Sequence, residues 1–355
     1  MSDYTTEPLL LGWDIGGAHL KAAWLDADGH PRQIYQQPCP LWRGTDTLMS
    51  AMNAIKARLP DHTCHHALTM TGELVDGFDN RYQGVTAIVQ AFQSCWPGHK
   101  VLVYAGQRGW LAPEHITADN ALAIASANWL ATAQMLAQTR QHGVLLDIGS
   151  TTTDIIPFDS GVVTVEGYTD ADRLRLRELV YTGVTRTPVM AVTQEVLFKG
   201  ATTYLMAELF ANMADVYRLL EQLPAHADQA ETCDGKAKTQ AASAARLLRM
   251  LGQDYHADLL PAACALAQDL KNRQMAQLST ALRQVISRPA LTSPPTLYGA
   301  GVGRFLAHEL ADAQGLCFID VDRLWRIPAS PFTPADCAPA LAVVTLALPE
   351  LLEQP

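Results

Sequence analysis

Two aspartates in this chain each end an apolar run and open a glycine turn. Asp14 follows Leu9 to Trp13 and precedes Ile15-Gly16-Gly17, and Asp147 follows Val144 to Leu146 and precedes Ile148-Gly149-Ser150. After the second turn come Thr151, Thr152 and Thr153, then Asp154 and another apolar run, Ile155 to Phe158. The backbone N–H groups of such a turn, with the hydroxyls of Ser150 to Thr153, suit the oxygens of a phosphate. A carboxylate repels a phosphate. The aspartates therefore point to a cation between them and the anion, and Mg²⁺ is the cation expected. A third turn, Gly299-Ala300-Gly301-Val302-Gly303, ends a further apolar run. It lacks the strand-helix-strand unit and following acid of a dinucleotide-binding fingerprint.

The elements that must position these turns repeat. Leu9 to Asp14, Leu20 to Leu25 and Gln33 to Gln37 read as strands, the last two joined by the hairpin turn Asp26-Ala27-Asp28-Gly29. A shift of 133 positions sets Asp14 on Asp147, Gly16 on Gly149, Lys21 on Asp154 and Asp26 on Asp159. The second copy has its own hairpin turn, Asp159-Ser160-Gly161, and a third strand is expected over Val162 to Glu166. Such a duplication implies two related domains, expected over 1–138 and 139–337. Helices are expected over Thr45 to Leu59, Val85 to Phe92, Ala118 to Gln138, Leu205 to Leu220, Ala241 to Leu251, Leu259 to Ile286 and Arg304 to Leu310. Further strands are expected over Ala67 to Thr71, Lys100 to Tyr104, Glu195 to Phe198, Leu297 to Gly303 and Cys317 to Val321. A last apolar helix, Ala338 to Leu352, is expected to fold back on the first domain. Pro224 to Thr239 is polar and reads as a loop.

Composition narrows the class. Of 355 residues, 48% are hydrophobic and 17% charged, as in a soluble protein with a large core. The formal net charge of -10 argues against nucleic acid or an anionic membrane as partner. A helix N-terminus contributes only about 0.3–1 kcal/mol toward holding an anion, so a multiply charged phosphate here needs a cation. The polar N-terminus shows no signal peptide, and no run is long enough to span a bilayer, so a cytoplasmic protein is expected. The 7 cysteines never form C-x-x-C and read as reduced thiols. His62, Cys64, His65 and His66 match no zinc spacing and read as an ordinary surface loop.

With these residues in view the chain resembles the sugar kinase, Hsp70 and actin superfamily. Asp14-Ile15-Gly16-Gly17 and Asp147-Ile148-Gly149-Ser150-Thr151 look like its two phosphate motifs. Gly299-Ala300-Gly301-Val302-Gly303 looks like its adenosine motif. The fold implied is α/β, with two ribonuclease H-like domains around a central cleft, the actin-like ATPase fold. The stretch from Asp147 to Asp154 is most similar to the hydantoinase and oxoprolinase branch. Further blocks resemble the tetrahydromethanopterin-linked C1-transfer proteins. They are Met70-Thr71-Gly72-Glu73-Leu74, Asn128-Trp129, Glu178 to Val184 with Arg186-Thr187-Pro188, Met213 to Tyr217, and Asp234-Gly235-Lys236. Archaeal members of that group are methanofuran-biosynthesis synthases.

The resemblance implies a transferase that joins a furanylmethyl diphosphate to a (glutamyl-)tyramine phenol and releases pyrophosphate. Asp14, Asp147 and Asp154 would hold Mg²⁺. Gly16, Gly17, Gly149, Ser150, Thr151 and Thr152 would hold phosphate oxygens as charge builds on them. Lys21, opposite in sign to its counterpart Asp154, would face phosphate, or the two would form a salt bridge. A phenol has a pKa of about 10, so it needs a base, and Glu73 is the candidate. Asn128, Arg186 and Lys236 are candidate substrate contacts. Arg186 would meet an anion or the glutamyl carboxylate, and Lys236 sits in a loop that could close over substrate. The run Arg173, Arg175, Arg177 reads as the polar face of an edge element. The competing reading is an ATP-dependent kinase, with adenosine at Gly299, Ala300, Gly301 and Gly303. A non-catalytic nucleotide sensor is a third. A homodimer is compatible with each.

Overall fold

The computed structural model describes residues 8–288, 291, 294–327 and 330–352. The polar N-terminal stretch lies, over residues 1–7, outside them. The chain divides into two compact units. One is Met1–His142 with Phe158–Thr164 and Asp320–Pro355, and the other is Gly143–Pro157 with Val165–Ile319. The expected boundary at 337/338 thus falls at 319/320. The reason is local: the short turn Pro334–Cys337 is buried and packs against the first unit's sheet.

The first unit runs β1 (Leu9–Ile15), β2 (His19–Leu25), β3 (Pro31–Pro38), α1 (Thr45–Lys56), β4 (Cys64–Met70), α2 (Arg81–Cys95), β5 (Lys100–Tyr104), β6 (Trp110–Leu111), α3 (Ala118–Ile124) and α4 (Asn128–Arg140). Its sheet order is β3-β2-β1-β4-β5-β6. β1 pairs antiparallel with β2 and parallel with β4. Every β1 residue is buried, because both faces of the strand are covered. Leu9, Leu11, Trp13 and Ile15 join Leu48, Met52 and Ile55 of α1 and Val85, Ile88 and Phe92 of α2.

The second unit runs β7 (Gly143–Ile148), β8 (Thr153–Asp159), β9 (Val162–Val163), α5 (Asp170–Leu176), β10 (Leu179–Val180), α6 (Val189–Val192), β11 (Glu195–Phe198), β12 (Ala201–Tyr204), α7 (Met213–Leu219), α8 (Gln240–Arg249), α9 (Leu260–Ile286), β13 (Leu297–Ala300), α10 (Arg304–Gln314) and β14 (Phe318–Asp320). The end of β8 and all of β9 fall in the first unit. The sheet order is β10-β8-β7-β13-β14, with β9 on β8 and a separate hairpin β11-β12. Val144, Leu146 and Ile148 of β7 pack with Val216 of α7, Leu266 and Leu270 of α9 and Leu306 of α10.

The first unit is completed by α11 (Ala338–Leu346) and α12 (Leu348–Leu352), and α11 lies on β1, β2, β4 and α4. Gly12 makes this possible. A Cβ there would sit 2.0 Å from the Ala340 carbonyl oxygen and 2.8 Å from Val344 Cβ. The even-numbered side of β1 is therefore a helix seat, and Asp14 stands on that same side, one pleat further along.

Several expected elements change for identifiable reasons. The helix expected over Ala118 to Gln138 breaks at Ser126, whose φ is 51°. The third strand of the second copy shrinks to Val162–Val163, because Glu166 N–H and Gly167 N–H donate to the Glu178 carboxylate at 2.9 and 3.1 Å instead of to a neighbouring strand. Leu205 to Asn212 is irregular, and the helix starts at Met213 under a reciprocal cap between Asn212 and Asp215. The final helix divides at Ala347, where Pro349 has no N–H to give to the preceding turn. The arginine run is helix α5, with Arg173 buried.

Gly12→Ala should lower unfolding stability by about 3 kcal/mol, since α11 must lift from β1 to admit the methyl group. Urea unfolding checks this, and an unchanged midpoint would contradict the contact.

Candidate functional site

In the first unit the β1–β2 turn is closed by Gly16 N–H donating to His19 C=O at 3.0 Å, and Leu41 N–H caps Gly17 C=O at 3.0 Å. Neither glycine has positive φ; their use is close approach. A Cβ on Gly16 would lie 3.0 Å from His19 O, and one on Gly17 3.0 Å from a Val75 methyl. Behind the turn, sheet register builds a polar row across four strands. Gln36 stands opposite Lys21, Lys21 opposite Asp14, and Asp14 opposite Thr69. Register partners share a face, so the four side chains form one band.

Burial raises the Asp14 carboxyl above the ordinary aspartate range. The Lys21 ammonium and the Asn128 amide oppose that rise. Asn128 Nδ2 reaches Asp14 Oδ1 at 3.5 Å, and its own Oδ1 accepts from Trp129 N–H at 2.8 Å. Glu73 is not a surface acid. It is 1% exposed, and Ser126 Oγ donates to its Oε1 at 2.7 Å. Helix α2 presses on it through Gly84, where a Cβ would meet Glu73 O at 2.5 Å.

In the second unit the β7–β8 turn is closed by Gly149 N–H to Thr152 C=O at 2.9 Å. A strap, Thr182 to Thr187, wraps it. Val184 N–H donates to Gly149 O at 3.1 Å, and Thr185 and Arg186 N–H both donate to Ser150 O, at 3.1 and 2.8 Å. Gly183 lets the strap approach: its Cβ would stand 2.5 Å from Thr151 N. Gln274 of α9 fastens the strap from behind, donating to Thr182 Oγ1 at 2.7 Å and Gly183 O at 2.9 Å. The third turn closes on the same place. Ala300 pairs with Asp147, and Gly303 N–H donates to Ile148 O at 2.8 Å. Gly301, at φ +78°, takes a conformation that suits glycine, and a Cβ there would fall 2.4 Å from Asp147 Oδ1. Asp147, Gly149, Ser150, Thr151, Thr152, Gly299, Ala300, Gly301, Gly303 and the Arg186 backbone are thus one constellation. Its half-buried carboxylate and neighbouring hydroxyls are all-oxygen donors, a set that fits Mg²⁺.

Two assignments change. Asp154, expected on a metal, is taken by Arg173, whose Nη2 donates to Asp154 Oδ1 at 2.7 Å and to Glu178 O at 3.1 Å. The salt bridge of Asp154 is with Arg173, a residue read above as a polar surface face. Lys236 is exposed on a loop that is pinned down. Asp234 accepts from Lys236 N–H at 3.1 Å and from Arg246 Nη1 at 3.0 Å, while Thr232 Oγ1 donates to Lys236 O at 2.8 Å. Arg246 and Arg218 both also bind Asp215, and Arg218 clamps Asp228. Three aspartates and two arginines fold this loop onto the helices.

Of the expected loop cluster, His62 lies in an exposed bend, while Cys64, His65 and His66 lie on β4. Cys64, His66 and His99 bring ligand-type atoms within 4.8 Å of one another. Trp13 Nε1–H donates to His66 Nδ1 at 3.1 Å, which leaves the His66 proton on Nε2 facing His99 Nδ1 at 3.4 Å. The nitrogen a metal would need already carries a proton. Burial, then the neighbouring His99, holds His66 well below the ordinary imidazole value, and burial pushes the Cys64 thiol up to about 11. The cluster is a hydrogen-bonded part of the core.

Residues 65–327 match the family described as Hydantoinase/oxoprolinase. The chain belongs to the hydantoinase/oxoprolinase family. It is 33% identical over 247 residues, 69% of this chain and 72% of the other, to the (4-{4-[2-(gamma-L-glutamylamino)ethyl]phenoxymethyl}furan-2-yl)methanamine synthase of Methanocaldococcus jannaschii. A protein of the same name from Methanococcus vannielii is 35% identical over 113 residues, 32% of this chain and 50% of that one. Among solved structures, nucleotide-free acetone carboxylase aligns with a TM-score of 0.55 at 11% identity, over 96% of this chain and 70% of its own. This family member has the actin-like ATPase fold built from two ribonuclease H-like domains, with mixed α/β sheets. No helix among the described residues is long and apolar enough to cross a membrane.

The sequence alone missed Thr69 and Ser126, whose relation to Asp14 and Glu73 exists only through sheet register and chain reversal. It also missed Cys337, buried near Lys21 and Asp14, whose thiol burial pushes up to about 12.

Arg173→Ala should destabilise the protein by about 3–5 kcal/mol, because it strands Asp154 in a site shaped for an ion pair. Combining it with Asp154→Asn should recover much of that loss in urea unfolding. A single-variant loss under about 1 kcal/mol would contradict the pairing.

Proposed function

We propose that this protein is a transferase of methanofuran-type cofactor biosynthesis. It joins a furanylmethyl diphosphate to the phenol of a (glutamyl-)tyramine and supports tetrahydromethanopterin-linked C1 metabolism. The observation that carries the reading is the 33% identity to the synthase of Methanocaldococcus jannaschii, whose name describes a product with a phenoxymethyl-furan ether. In the proposed step the bond from the furanylmethyl carbon to the diphosphate oxygen breaks, and pyrophosphate leaves. The phenol oxygen bonds to that carbon and its proton passes to a base.

The residues divide the work as follows. Ser150, Thr151, Thr152 and the backbone around Gly149 would hold diphosphate oxygens and meet the charge that grows on them. In the first unit the Gly16-Gly17 turn would hold phosphate, and Lys21 would add a positive charge beside it. Mg²⁺, held in the second unit by Asp147, would neutralise diphosphate charge and make it a better leaving group. Asp154 has no part in this, being paired with Arg173. Glu73 would take the phenol proton; its burial excludes the water that would otherwise compete. Asp14, tied to Asn128 and beside Lys21, would set the charge balance of the first turn.

The test is to incubate the protein and Mg²⁺ with the furanylmethyl diphosphate and tyramine phenol, and separately with ATP. Pyrophosphate release that depends on the phenol is expected. ADP release from ATP, with no pyrophosphate released from the diphosphate and phenol, would sink the reading. Chelation by EDTA should stop turnover, and added Mg²⁺ should restore it. Asp147→Asn should reduce kcat at least 100-fold with an unchanged thermal midpoint; wild-type kcat in that variant would remove the metal assignment.

A further inference from the structure

Three residues, Ala125, Ser126 and Ala127, join α3 to α4, and Asn128 opens α4. Helix α3 ends with Ala125 N–H donating to Ala121 O at 3.0 Å. Ser126 then adopts φ +51°. That left-handed conformation costs any residue bearing a Cβ and costs glycine little, so a serine held there calls for a reason beyond making the turn. Its side chain supplies one: Oγ donates to Glu73 Oε1 at 2.7 Å, across 53 positions of sequence. Two residues later Asn128 reaches Asp14. One short strap thus holds both carboxylates that the first unit contributes. Glu73 is also fixed from its backbone side by the close approach of Gly84. With its main chain wedged and one oxygen held, the direction of the other oxygen is set.

We propose that Ser126 is the positioning residue of Glu73: its hydroxyl aims the carboxylate that accepts the phenol proton, and the left-handed backbone is retained because it places that hydroxyl. This rests on the transferase reading above. Ser126 touches no reacting atom in this scheme. It acts through Glu73 alone, which makes its effect separable from a merely structural one.

Four proteins decide it: Ser126→Gly, Ser126→Thr, Glu73→Gln and the Ser126→Gly/Glu73→Gln pair, each assayed for pyrophosphate release and thermal midpoint. Glycine keeps the backbone conformation without strain while deleting the hydroxyl. Ser126→Gly is expected to lower kcat about 10-fold with KM for the diphosphate unchanged, and Ser126→Thr, which keeps a hydroxyl, to recover part of it. In the Glu73→Gln background Ser126→Gly should have no further effect, because the two act as one unit. Full kcat in Ser126→Gly, or the same fold-loss with and without Glu73, overturns the proposal and leaves the transferase reading standing. Should Ser126→Gly fold poorly, Ser126→Thr decides: kcat as low as in Glu73→Gln, with a wild-type midpoint, overturns it. Wild-type kcat in Glu73→Gln removes the base and the positioning role together. Wild-type protein that releases no pyrophosphate from the diphosphate and phenol defeats the transferase reading, and the inference with it.

Discussion

A single methyl group would not fit at four places where backbone or carboxylate presses against glycine. A Cβ on Gly12 would sit 2.0 Å from Ala340 O, one on Gly84 2.5 Å from Glu73 O, one on Gly183 2.5 Å from Thr151 N, and one on Gly301 2.4 Å from Asp147 Oδ1. Each contact seats a piece of the proposed machinery. Gly12 admits α11 to the face that also carries Asp14. Gly84 holds Glu73 in place, Gly183 lays the strap over the Ser150 turn, and Gly301 brings the third turn to Asp147. Interiors are packed near crystal density, so such contacts either exist in full or force neighbouring elements apart. The geometry of both candidate sites therefore depends on close approach more than on any one hydrogen bond.

The second organising feature is the pairing of buried charge. Arg173 is almost wholly buried and ion-paired to Asp154, and Asp215 accepts from both Arg218 and Arg246. A buried charge without a partner is strongly destabilising, and a paired one is close to neutral. These arrays hold loops and helices in place. Asp147 stands half-buried beside turn backbone, with the Gly301 turn pressed against its carboxylate. Like positions in the two repeats have come to different ends: Asp154 is ion-paired to Arg173, whereas its counterpart Lys21 stands opposite Asp14 in the sheet.

Residue by residue, legibility followed the range of the interaction. The DIG turns, the hairpin at Asp26 to Gly29 and the strands β1, β2, β7 and β8 could be read because an apolar run and turn chemistry are local properties. The constellation of Asp147, Ser150 and Gly301 was legible as three separate turns, and their meeting required the parallel pairing of β13 with β7. The histidines near Cys64 misled in the other direction. As a string they look polar and loop-like, whereas alternation on β4 buries His66 beside Trp13 and turns His65 to the opposite face, toward Leu351.

By itself the sequence determined the duplicated strand-turn-strand unit, the fold class and the family, since these rest on patterns repeated within a few residues and on motifs that survive as strings. The tertiary structure decided which partner each of these charged groups meets. Asp154 meets Arg173 19 positions away, Glu73 meets Ser126 53 positions away, and Asp14 meets Asn128 114 positions away. An electrostatic partner is chosen by distance in space and by the water excluded around it. Neither quantity exists until sheet register and helix packing have brought remote segments within a few ångströms of each other.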